Sequence, residues 1–196
     1  NVSGYDNTAV GANALTLLNT AVTGIQNTAV GTNALRTATN GQENVAVGMN
    51  ALQAATNPRF NVAVGVNALG LLTTGISNVA IGQNAANAGL THTSIVAIGV
   101  NAANANTANE TVAVGVDALR FNTSGAGNVA VGPFALDANT TGAQNTAVGN
   151  NALGTNIIGT NSTAMGSQAL ILSTGNQNSA FGDQALSGTT TGSGNT

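Results

Sequence analysis

Residues 27–35 read NTAVGTNAL and residues 145–153 read NTAVGNNAL. The phrase recurs along the chain on a glycine, at Gly11, Gly31, Gly48, Gly65, Gly82, Gly99, Gly115, Gly132, Gly149, Gly166 and Gly182. Its spacing is 17 residues, shortened to 16 before Gly115 and Gly182 and lengthened to 20 before Gly31. So short a repeat cannot bury its apolar face alone, and each copy must stack on its neighbours. Residues 1–196 therefore read as one continuous repeat domain, and Asn195 and Thr196 as the opening of a further copy, as in a piece of a longer array.

Aligning the copies on the glycine shows what packing demands. The residue two places earlier is Ala in every copy, Ala97 among them, and the residue one place earlier is apolar and mostly β-branched, as at Val64. Three places earlier stands Thr, Val or Ser. This alternation predicts a strand with both faces in use. Three places after the glycine there is again only Ala, followed in most copies by Leu, as at Leu69, which predicts a second apolar side. Gly and Asn at the centre of each copy disfavour a helix. A further glycine usually stands seven places earlier, as at Gly41, Gly75 and Gly125, and is read as a turn needing positive φ. Pro58, His92 and Ala108 break that column. Pro58 cannot take positive φ and predicts a different turn there, and His92 is expected on a surface loop.

Strand, turn, strand, turn in this length describes one coil of a β-solenoid, with two strands of about five residues per coil. Stacking at about 4.8 Å gives a rod of roughly 50 Å. Like residues then lie above one another, so Asn67 belongs to a ladder of amides two places after Gly31, Gly48, Gly65, Gly82 and most other repeat glycines. Asp117 in that column is read as a substitution, and Phe134 and Phe181 as local core adjustments. A second column, from Asn7 and Asn27 to Asn178, is also mostly Asn.

Composition narrows the chemistry. Charged residues make up 5% against roughly 25% in ordinary domains, with net charge −3 and three basic residues, all Arg. Nucleic-acid binding by phosphate neutralisation is disfavoured, and no apolar run reaches the length of a membrane-spanning helix. Without Cys or Lys there is no thiolate metal site, P-loop or Schiff base. His92 is the only histidine. Asp117 and Asp183 lie roughly 19 Å apart at the coil spacing, too far for paired acid–base work. No catalytic, cofactor-binding or metal-ligating residue is assigned, and an enzyme is not expected.

A coil this small encloses Ala and one Leu, which leaves the Val/Ile column outside. An apolar stripe along a whole rod exceeds what a monomer leaves open, so self-association through that column is expected, with the Ala column before the glycine facing inward.

The segments NVAIG at 78–82, IVAIG at 95–99 and NSAFG at 178–182 resemble the YadA-like head repeats of trimeric autotransporter adhesins. The longer TTGAQNTAVGNNAL at 140–153 is similar to repeats of phage and bacterial tail-fibre-like proteins. The resemblance implies an all-β, left-handed parallel β-roll of about eleven coils, trimeric; the 17-residue period departs from the shorter coil of the adhesin heads, so longer corner loops are expected. It implies an extracellular, cell-surface or virion fibre segment whose partners are copies of itself and a host glycan or protein receptor. An ice-binding solenoid is the alternative, disfavoured because Thr8 and Thr28 give way to Val from Val45 to Val129. A glycan-acting β-helix would need an acidic cluster, which the columns lack.

Overall fold

A computed structural model describes residues 4–16 and 24–196. Each Thr/Val-Ala-Val/Ile segment forms a three-residue strand: β1 (Thr8–Val10), β2 (Thr28–Val30), β3 (Val45–Val47), β4 (Val62–Val64), β5 (Val79–Ile81), β6 (Val96–Ile98), β7 (Val112–Val114), β8 (Val129–Val131), β9 (Thr146–Val148), β10 (Thr163–Met165) and β11 (Ser179–Phe181). They form one sheet of 11 strands in sequence order, each parallel to the next. The chain is thus an all-β solenoid of stacked coils. Ala46 faces Ala63, which faces Ala80, so the columns read in the sequence are physical stacks.

The shortened steps leave this register intact, since Val96 still faces Val112 and Thr163 faces Ser179. The missing residue is absorbed at the opposite corner, where the usual Asn-x-x-Gly (Asn122 to Gly125) contracts to Asn106-x-Ala108 and Ser173-x-Gly175.

The expectation of two five-residue strands per coil does not hold. Opposite the sheet there are only single parallel bridges, from Ile25 through Gln42, Arg59 and Ile76 to Thr93. The Ala-Leu segment is a turn, because its Leu lies in the left-handed region, φ 49° at Leu69. Asn67, two residues before, has φ 58°, a conformation Asn accepts more readily than Leu. The bends are held between coils: Leu69 N–H donates to Ala85 O at 3.0 Å and Asn67 N–H to Met49 O at 2.9 Å.

The repeat glycine is fixed by two demands. Gly31, Gly48, Gly65 and Gly82 have φ between 131° and 133°, accessible to glycine and costly for a side chain. A Cβ on Gly31, Gly48 or Gly65 would also lie 2.6 Å from the carbonyl oxygen of the next repeat glycine.

The interior is made of three stacks. The strand Ala (Ala97 at 0%), the turn Ala and the Leu beside it (Leu69 at 0%), replaced by Ala86 and Ala103 in two coils, are closed to solvent from Ala29 to Leu170. Burying one such Leu contributes about 2 kcal/mol.

The glycines seven places earlier correct the sequence reading. Gly41, Gly75 and Gly125 are not at positive φ, which falls instead on the residue two places later, Glu43 (55°), Ser77 (59°) and Gly127 (67°). Gly75 and Gly125 are glycines for lack of space: a Cβ on Gly75 would sit 2.5 Å from Leu72 Cδ1 and 2.7 Å from His92 O, whereas one on Gly41 would meet only ordinary contacts at 3.4 Å. Pro58 therefore needs no different turn, and its carbonyl accepts from Gln42 N–H and Asn44 Nδ2 as Gly75 O does from Arg59 N–H and Asn61 Nδ2. Two positions three residues apart share one corner of the interior, filled by Ala38 with Gly41, Leu72 with Gly75, and Asn139 with Gly142.

Candidate interaction surfaces

Because Ala points inward, the two residues flanking it in each strand point out. Val62 and Val64 are both half-buried, and the same face continues one place beyond the glycine, where Met49, Val100 and Val116 are 41–49% exposed. From Val45 to Pro133 the outward columns are apolar apart from Gln83. Toward the described ends their edges turn polar, at Thr28 and Thr32 on one side and Thr146, Asn150, Ser167 and Asp183 on the other. Phe181 (66% exposed) lies on this face and Phe134 (38%) in the amide column at its edge, so neither is a core adjustment. Their outward columns explain the difference.

Beside this face runs the ladder containing Asn67. Asn33 Nδ2 donates to Asn50 Oδ1 at 3.0 Å, Asn50 to Asn67 at 3.1 Å and Asn67 to Asn84 at 3.1 Å, each toward the later coil. The last of these bonds runs from Asn101 to Asp117 Oδ1 at 3.0 Å, since a carboxylate accepts and cannot pass the chain on. Arg120 lies 3.7 Å from the same oxygen and 4.7 Å over the Phe121 ring. One coil later, burial pushes the Asp137 carboxyl above its ordinary range, the Asp117 charge adds to this and Arg120 opposes it. No group of three or more metal-ligating side chains occurs among the described residues.

The second Asn column is buried, which the sequence reading did not assign. Asn44 Nδ2 donates to Asn27 Oδ1 at 2.9 Å and to Pro58 O at 2.9 Å, and Asn61 and Asn78 repeat this, each donating to the earlier coil. The column is interrupted by Ile95 and Thr111 and resumes at Asn128. A third ladder occupies the other interior corner: Asn122 donates to Asn106, Asn139 to Asn122 and Asn156 to Asn139. The repeated Asn-x-x-Gly spacing was its sequence signal. Buried amides are tolerated because each one is bonded to its neighbour.

His92 contradicts the surface-loop expectation most directly, at 1% exposure. Its ring occupies the corner that Leu72 or Asn122 fills elsewhere, and the partner position is Gly89, on which a Cβ would collide with the ring. Its Nε2 is 2.6 Å from Asn106 O. Burial lowers its pKa, partly opposed by that bond. A ring so enclosed has no path to a substrate.

The corners mix charged and hydroxyl side chains with exposed apolar ones, Phe60, Leu71, Leu90, Phe121 and Ile158 being 46–63% exposed. Glu43, Arg59 and Glu110 are exposed, and hydroxyls at Thr39, Thr56, Thr73 and Thr140 donate to the carbonyl one coil on. Leu90 and Ile157 interrupt that row. No helix of the described residues is long and apolar enough to cross a membrane. Comparison with protein-family models, curated proteins and solved structures gives no match.

Proposed function

We propose that this chain is a structural and adhesive segment of an extracellular or virion fibre, a left-handed roll assembled as a homotrimer through its outward Val/Ile face. The observation that carries the reading is the continuous half-exposed apolar face, in which three adjacent outward columns are apolar coil after coil, whereas the exposed apolar residues elsewhere, such as Phe60, Leu90 and Ile158, stand in otherwise polar columns. At full width, five residues across and six coils long from Val45 to Pro133, that face covers about 400 Å² by strand geometry. That is already as large as the biggest patch most monomers leave open, and the Val/Met/Phe column continues it more narrowly toward both ends. The corners, with their mixed polar and apolar side chains, would remain outside to meet a host glycan or protein receptor. The native mass of the purified chain tests this: about three times 19.0 kDa is expected, and Val64→Asp should yield monomers by placing a charge in the joint. A monomeric wild type, or a Val64→Asp chain that still trimerises, sinks the assembly.

Ice binding is the second reading, supported by the Thr row at the corner. Those hydroxyls already donate to backbone carbonyls, which leaves only acceptor capacity outward. Absence of thermal hysteresis at high concentration removes it.

A further inference from the structure

His92 stands where the rod changes its filling. The coil before it closes the shared corner with Leu72 against Gly75, and the coil after it begins the amide ladder at Asn106. In its own coil the usual order is inverted, with glycine at position 89 and the large side chain at position 92. Both neighbouring residues of the inner Asn column, Ile95 and Thr111, lack the amide.

The Asn106 carbonyl accepts only, so the Nε2 beside it carries the ring's proton and donates. Nδ1 is buried without a hydrogen-bond partner. Protonating the ring would add an N–H at Nδ1 with no acceptor and a charge without a counter-ion. No titratable side chain faces the ring from its own coil or from those packed on it: Leu72 and Gly75 lie before it, Asn106 and Thr111 after it, Gly89 and Ile95 beside it, and the nearby Glu110 is exposed on the outer corner.

We propose that His92 is an acid-sensitive plug: protonation expels the ring and opens the coils between Leu72 and Val114, giving the rod a joint that loosens at mildly acidic pH. The linkage sign agrees. Burial disfavours the charged form in the folded state, so the open state binds the additional proton and closure weakens as pH falls below the unfolded value of about 6.5. Asp137, whose pKa is raised in the fold, has the opposite dependence and cannot imitate this.

As the only histidine, His92 can be followed in the intact chain by its imidazole resonance, alongside hydrogen exchange of the strands from pH 7.5 to 5. Protection of β6 and β7, corrected for intrinsic exchange, should fall about tenfold per pH unit below about 6.5, while β9 and β10 hold. Gly89→Asn with His92→Gly rebuilds the Asn122–Gly125 pairing and should abolish the fall. A ring that titrates near 6.5 with β6 and β7 still protected overturns the proposal, as does an equal loss of protection in wild type and double variant. The wild-type measurement decides even if the double variant does not fold.

Discussion

On one side of His92 the shared interior corner holds Ala38, Ala55 and Leu72; on the other it holds Asn106, Asn122, Asn139 and Asn156. The strands, the Ala stacks and the Leu stack pass the boundary largely unchanged, Ala86 and Ala103 replacing Leu beside it. The frame is therefore set by the stacked backbone and the Ala and Leu columns, while the corner accepts either chemistry if adjacent coils agree. Apolar on apolar needs no bonds, and amide on amide makes its own.

The largest test of this rule is Leu72→Asn, which places one amide in the apolar half between the coils of Ala55 and Gly89. Lost packing and an unsatisfied polar group together predict about 4 kcal/mol of destabilisation in urea unfolding; a loss near zero would mean that the corner is wet. Leu69→Ala and Leu153→Ala, one in each half, should cost about 3 kcal/mol each. A clear inequality between them would break the claim of a common frame. Asn139→Leu, nearly isosteric, should cost about 2 kcal/mol by leaving Asn122 Oδ1 without its donor. Adding Asn122→Leu should cost less than the sum of the singles, and strict additivity would deny that the amides act as a chain. The smallest effect is expected at Asp137. Its carboxylate is penalised by burial at neutral pH, so Asp137→Asn should stabilise by under about 0.5 kcal/mol at pH 7, with the gain vanishing near pH 3.

The sequence carried the coil, its stacking and the inward Ala columns, because those depend on period and side-chain size. It did not carry the burial of His92, since the compensating Gly89 lies in another column and meets it only after the corner folds. Gly75 and Gly125 were legible as constrained but not as crowded, because φ and space both select glycine. Strand length was overread because Leu69 in a left-handed turn looks like Leu in a strand. Nothing in the one-dimensional pattern separated the half-buried Asn67 ladder from the buried Asn44 ladder; Asn67 lies in the left-handed bend that follows the glycine, whereas Asn44 leads into the strand.

The directions of the ladders have an electrostatic consequence. From Asn27 to Asn78 the inner amides donate toward the earlier coils and the outer ladder toward the later ones, so their dipoles oppose and no field accumulates with length. After His92 the balance is lost: the outer ladder stops at Asp117, and Asn122, Asn139 and Asn156 align with their positive ends toward the imidazole. The donors of that stack thus all point along the rod toward the His92 coil, a direction that the outer ladder no longer opposes.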